Sequence, residues 1–207
     1  LLAKAGHQLV ESDSDADVII ANTCTVKNRV EIDELKEINK LKSEGKKIIA
    51  TGCLVQDKKH LEKLKGISYV GLNNQDEIAR YVDEVADGKV VQVFSDKKLD
   101  RAGLPRLRSN PVVETVQILQ GCASNCTFCA TKLAKGNTYS FSEARILAQV
   151  ESAVKDGCKE IWLTSQDNGT YGIDRRTNIT NLLEKVCMIK GNFLVRNGMA
   201  NPQWIKL

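Results

Sequence analysis

The chain has 207 residues, of which 42% are apolar and 27% charged, with a formal net charge of +4. That length is a prior for one or two domains, and the composition is that of a soluble globular protein rather than a disordered or fibrous one. No apolar run is long enough for a membrane helix, and so small a net charge does not by itself indicate nucleic acid.

In chain order, residues 1–9 read as the end of a helix stopped near Gly6. Residues 18–21 are a short apolar run leading into Asn22-Thr23-Cys24, and are expected to form a buried strand. A helix is predicted over 29–43, where Val30, Leu35, Ile38 and Leu41 recur near helical period. Residues 47–50 form the next buried strand and run into Thr51-Gly52-Cys53. Helix over 57–65, strand over 67–72, helix over 75–86 and strand over 90–94 follow. Strands alternating with helices imply an α/β fold with a parallel sheet, of Rossmann or flavodoxin-like type. In such sheets ligands bind at the carboxyl ends of the strands. Cys24 and Cys53 each follow a predicted strand, so one sheet would carry both thiols along one edge.

Residues 95–111 are polar and basic, hold Pro105 and Pro111, and read as a linker between a domain over 1–94 and one over 112–207. Its Arg101, Arg106 and Arg108 can face a phosphate backbone, or can be ordinary solvated charge. A strand is predicted over 112–119, a helix over 142–155, a strand over 160–164, a helix over 177–189 and a strand from 193 to 196. Gln166, Asp167 and Asn168 fall at a strand end, where polar side chains can bind a ligand or simply make a turn.

Seven cysteines in a chain of this kind suggest metal or redox chemistry in a reducing, cytoplasmic compartment. Cys122, Cys126 and Cys129 have the spacing C-x3-C-x2-C. Thiolates are soft ligands that suit iron–sulfur clusters. Three ligands on a four-iron cube leave one iron open, as a catalytic site requires. Three core cysteines on one helix face give the same spacing. Gly121, Ser124, Asn125 and Thr127 argue against that, because they are poor helix formers. Structural zinc takes four ligands, and no fourth Cys or His follows nearby. Cys158 and Cys187 read as packing cysteines.

The triple-cysteine stretch, with Phe128 before its last cysteine, resembles the radical S-adenosylmethionine signature. The resemblance implies that the open iron chelates the methionine moiety and that an electron from the cluster releases a 5′-deoxyadenosyl radical. It also implies contacts to S-adenosylmethionine from Phe128, Gln166, Asp167, Asn168 and Arg196.

Asn22-Thr23-Cys24-Thr25-Val26-Lys27-Asn28, Thr51-Gly52-Cys53-Leu54 and the stretch from Gly121 to Gly136 together resemble the methylthiotransferase family over essentially the whole chain. Thr131-Lys132 and Leu163-Thr164-Ser165-Gln166-Asp167 are similar to the branch that modifies N6-threonylcarbamoyladenosine in tRNA. The resemblance implies two 4Fe-4S clusters, one on Cys122, Cys126 and Cys129, and an auxiliary one that includes Cys24 and Cys53. It implies a tRNA anticodon loop as substrate, an electron donor and a sulfur source, with no membrane partner. The family's first N-terminal strand with its cysteine, the rest of its barrel and its TRAM domain have no counterpart in these residues. The expectation is therefore a piece of a longer protein, inactive by itself. Rival expectations are methylthiolation of isopentenyladenosine in tRNA or of a ribosomal-protein side chain, and a non-catalytic metal-bound nucleic-acid-binding module.

Overall fold

The computed structural model describes residues 1–25, 28–56 and 58–204. Val26 and Lys27 of the first cysteine motif, the predicted helix start at Asp57, and the last three residues lie outside the described residues. The chain divides into two compact units. Unit 1 is Leu1–Leu99 with Phe128–Ala134, and unit 2 is Asp100–Thr127 with Lys135–Leu207.

Unit 1 is built on strands β1 (Ile19–Thr23), β2 (Ile48–Gly52), β3 (Ser68–Val70) and β4 (Gln92–Val93), joined through helices α1 (Asn28–Ser43), α2 (Lys58–Leu61) and α3 (Ile78–Ala86). The strands are all parallel and lie in chain order, with Thr23 beside Gly52 and Thr51 beside Val70. Every residue of β2 is buried, as expected of a strand covered on both faces. Successive side chains of a strand point to opposite faces. Accordingly Ile48 and Ala50 pack with Leu35, Ile38 and Leu41 of α1, and Ile49 packs with Ile78, Tyr81 and Val85 of α3. The helix predicted over 75–86 begins instead as a 3-10 segment, Leu72–Glu77, and becomes α-helical only at Ile78.

Unit 2 holds β5 (Val113–Gln117), β6 (Leu119–Gln120), β7 (Tyr139–Ser140), α5 (Glu143–Lys155), β8 (Glu160–Thr164), α6 (Ile179–Cys187) and β9 (Leu194–Asn197); the short helix α4 (Ala130–Lys135) follows the cysteine loop. β5, β8 and β9 form a parallel sheet in that order. Ile146, Val150 and Ala153 of α5 and Leu182 and Val186 of α6 pack on Val116, Ile161 and Leu163. The strand predicted over 112–119 is in fact two. After Ile118 donates to Thr164 O, the chain leaves β8, and Leu119 and Gln120 pair antiparallel with Ser140 and Tyr139. Asn178 caps α6 by accepting from the amide of Asn181 at 2.9 Å. Among the described residues no helix is long and apolar enough to cross a membrane.

Unit 2 buries the carboxylate of Glu114. Glu114 on β5 is 1% exposed. It accepts from Arg106 Nε, from Arg108 Nε at 2.8 Å and from Gln149 Nε2 at 2.7 Å, and Arg108 also reaches Asp156 at 3.2 Å. Burial alone raises a carboxyl pKa, but the hydrogen bonds from Arg106, Arg108 and Gln149 outweigh it and hold Glu114 below its ordinary value. A depressed carboxyl contributes stability above the unfolded pKa, about 4.3, and loses it as pH falls towards the folded value. Glu114→Gln strands two arginines and is expected to cost about 3 kcal/mol, the low end for a broken buried pair because the arginines are partly exposed. Urea unfolding followed by Trp162 fluorescence checks this. The gap between wild type and variant should narrow below about pH 4.

Candidate metal centre

The carboxyl end of β2 is locked to the end of β1. Cys53 N donates to Thr23 O at 2.9 Å, Thr23 Oγ1 donates to Thr51 O, and Leu54 N donates back to Thr23 Oγ1 at 3.2 Å. Gly52 has φ 96°, and a Cβ built on it would lie 2.2 Å from Thr23 O, so only glycine fits this approach. Cys24 and Cys53 thus follow directly paired residues on neighbouring strands. Cys24 N also donates to the Glu34 carboxylate of α1 at 2.7 Å. Cys24 is half-buried and Cys53 is buried. Glu34, ten residues along the chain from Cys24, carried no signal in the sequence.

In unit 2, Gly121 turns the chain out of β6 at φ 82°. A Cβ there would meet Asn137 O at 2.2 Å and Gly136 O at 2.7 Å. Gly121 N donates to Gln166 Oε1 at 2.9 Å, and Cys122 N donates to Gly136 O at 3.2 Å. The Cys122 thiol lies 3.7 Å from Asp167 Oδ2 and accepts from Ser124 N at 3.4 Å. Asp167 is itself buried, and its other oxygen accepts from Gly169 N and Asn201 N. Ser124 Oγ accepts from Gln203 Nε2 at 2.8 Å and Trp204 Nε1 at 3.2 Å. Asn201, Gln203 and Trp204 were not singled out by sequence, because their partners are distant in the chain.

Cys126 is exposed and Cys129 half-buried. Among the described residues no three metal-ligating side chains are gathered into a ready-made set. The structure therefore joins Cys24 with Cys53, and Cys122 with Gln166 and Asp167, without assembling either complete ligand set. The donor chemistry still fits an iron–sulfur cluster, since every candidate ligand is a thiol.

The other expected site residues differ in their surroundings. Phe128 is 89% exposed. Asn168 is wholly buried, and its Nδ2 donates to Leu163 O at 2.9 Å and Asn197 Oδ1 at 2.7 Å, so it ties β8 to β9. Arg196 lies over the Trp162 ring at 4.6 Å, and Arg101 over Phe141 at 5.7 Å. Arg106 and Arg108 are engaged on Glu114. Cys158 packs in the core as expected, whereas Cys187 is exposed at the end of α6.

Two family models match the chain. Residues 1–70 match one described as "Uncharacterized protein family UPF0004", and residues 116–207 match the Radical SAM superfamily. Residues 116–207 are thus similar to radical S-adenosylmethionine domains, a class that implies S-adenosylmethionine and a 4Fe-4S cluster. Among curated proteins, the chain is 36% identical to a Pyrococcus horikoshii protein named probable threonylcarbamoyladenosine tRNA methylthiotransferase, over 99% of this chain and 49% of the relative. It is 37% identical to the Homo sapiens threonylcarbamoyladenosine tRNA methylthiotransferase, over 99% of this chain and 37% of the relative. The chain therefore spans half or less of the length of these relatives. Among solved structures, the radical S-adenosylmethionine methyltransferase TsrM from Kitasatospora setae, with tryptophan and an S-adenosylmethionine analogue bound, matches at TM-score 0.56 and 16% identity. That match covers 84% of this chain and 41% of the other, and bears on the fold alone.

Gly121 and Gly157, both at positive φ, allow a controlled comparison. Gly157 also has positive φ, but a Cβ there meets nothing within 4 Å. Gly157→Ala should cost about 1 kcal/mol, the left-handed penalty alone. Gly121→Ala adds the clash with Asn137 and should cost at least about 1–3 kcal/mol more. Thermal unfolding of the two variants checks the order.

Proposed function

We propose that the protein is a tRNA methylthiotransferase that adds a methylthio group to C2 of N6-threonylcarbamoyladenosine beside the anticodon. The observation that carries this reading is the pair Cys24 and Cys53 on neighbouring strand ends, in a chain whose other unit carries the Cys122 loop of a radical S-adenosylmethionine domain. The names of the relatives support the substrate.

In this reading Cys122, Cys126 and Cys129 hold one 4Fe-4S cluster, and Cys24 and Cys53 contribute two thiolates to an auxiliary one. When bound, the clusters would supply the electron that cleaves S-adenosylmethionine and the sulfur that is transferred, fed by an electron donor and a sulfur source, with the methyl group coming from a second S-adenosylmethionine. Everything else is positioning. Gln166 holds the turn at Gly121, and Asp167 fixes the Cys122 side chain and the loop at Asn201. Asn168 acts through the backbone it ties together. The exposed Phe128 ring offers a face for adenine. Arg196 offers a cation for a carboxylate. The substrate base lies in an unpaired loop, so little energy is needed to expose it.

The complete reading frame, expressed with an iron–sulfur supply in cells lacking their own methylthiotransferases, tests the reading. Mass analysis of digested tRNA should show a methylthio increment on threonylcarbamoyladenosine that disappears with Cys126→Ala. An increment on isopentenyladenosine would overturn the substrate. No increment on any nucleoside from a protein loaded with both clusters would overturn the reaction on tRNA.

The three linker arginines should separate in a binding assay. Arg106 and Arg108 are matched by Glu114 and Asp156, so they bring no excess positive charge to RNA. Arg101→Ala is expected to reduce the salt dependence of tRNA affinity by about one counterion. Arg106→Ala and Arg108→Ala should leave that slope unchanged and lower the unfolding temperature instead.

A further inference from the structure

The loop that follows β8 carries Asp174, Arg175 and Arg176 in succession, and it is fastened to β7. Thr138 Oγ1 donates to Thr170 Oγ1 at 3.1 Å, and Gly172 N donates to Ser140 Oγ at 2.8 Å. Ser140 N donates to Asp174 Oδ2 at 2.9 Å, and the Tyr171 hydroxyl donates to Phe141 O at 3.2 Å. β7 in turn pairs with β6, where Tyr139 lies beside Gln120. The two residues after Gln120 are Gly121 and Cys122. The arginine pair is thus held on the scaffold from which the cysteine loop starts.

The turn itself is closed by Arg175 N and Thr177 N, which both donate to Gly172 O, at 2.9 and 3.1 Å. Closure of this kind places a left-handed residue just before the last one, usually glycine and sometimes asparagine. Here that residue is Arg176, at φ 55° and ψ 36°. Every other positive φ among the described residues belongs to a glycine. A Cβ makes the left-handed conformation costly. Residues kept in such a conformation gather where the side chain has a use.

Neither guanidinium is committed to a carboxylate. Arg175 and Arg176 are both exposed. Arg29, Arg80, Arg106 and Arg108 all face acids, but among the described residues no acid pairs with Arg175 or Arg176. Arg175 lies over the Tyr139 ring at 5.6 Å, a contact that steadies a guanidinium without using its N–H donors. Asp174 is tied to Ser140 N. Glu143 and Asp100, whose charges also act on Tyr171, are engaged by Lys185 and by the amides of Ala102 and Ser142. A guanidinium matches a phosphate through two parallel N–H bonds. Two of them in succession, on an exposed and fixed loop, match the repeating phosphates of a nucleic-acid strand better than a lone carboxylate.

We propose that Arg175 and Arg176 form a phosphate clamp that grips the backbone of an RNA strand. Resting on the function proposed above, that RNA is the anticodon arm of tRNA.

The test uses the complete, cluster-loaded protein under anaerobic conditions. Fluorescence anisotropy with labelled tRNA gives the affinity over a series of salt concentrations. Arg175→Gln and Arg176→Gly should each weaken binding about fivefold at physiological salt. Each should also lower the slope of log affinity against log salt by just under one, as the loss of one phosphate contact requires. Arg175→Lys keeps the charge and should keep the slope. Arg176→Gly has a second readout, because glycine relieves the left-handed strain. Its unfolding temperature should hold or rise while tRNA binding falls, a combination that loss of fold cannot produce. A fall in unfolding temperature with tRNA affinity unchanged would make Arg176 structural and overturn the clamp. Unchanged affinity and slope in both charge-removing variants, with wild type binding tRNA, overturn the clamp and leave the function standing. A wild type that does not bind tRNA overturns the tRNA reading and the clamp with it.

Discussion

Because β1 to β4 run in one direction, every loop that leaves them does so at one edge of the sheet. Parallel pairing with Thr23 beside Gly52 puts the next residue of each strand, Cys24 and Cys53, side by side. The hydrogen bond from Cys53 N to Thr23 O then fixes how the two loops start. Direction of strand pairing is thus the constraint from which the placement of chemistry in unit 1 follows.

Unit 2 repeats the logic with a modification. Its β5 and β8 end at the same edge, but the chain leaves β8 after Ile118 and pairs with β7 instead. That hand-over brings Gly121 against the backbone of Gly136 and Asn137, and Gln166 and Asp167 from the end of β8 meet the start of the cysteine loop. Cys122 is anchored by these contacts, while Cys126 remains exposed. One end of the loop is set by protein contacts and the other is left open to whatever the thiols bind.

Much of this was readable in the residues. The apolar runs that became β1 and β2 were short and bounded by polar motifs, and α1 announced itself by period. The cysteine spacing pointed to soft-metal chemistry before any fold was known. What was not readable depended on distant partners. Nothing in residues 112–119 says that pairing changes at Ile118, because the reason lies in Tyr139 and Ser140. Arg106 and Arg108 read as phosphate contacts or solvated charge because nothing in the sequence says that Glu114, on the strand that follows them, is a buried acid. Asn168 looked like a ligand contact, but its amide serves Leu163 and Asn197. Polar side chains at strand ends have two competing uses, and only the fold decides between them.

The buried carboxylate of Glu114 has a consequence for how such sequences can change over time. Replacing a whole buried ion cluster by apolar groups of similar volume is often neutral or favourable, whereas removing one member is costly. Arg106, Arg108, Gln149 and Glu114 are therefore expected to be inherited as a set. A lineage that loses one member passes through a poorly folded intermediate unless the others change with it. The cluster works as a ratchet in sequence space, holding the segment before β5 to one arrangement for reasons unrelated to catalysis.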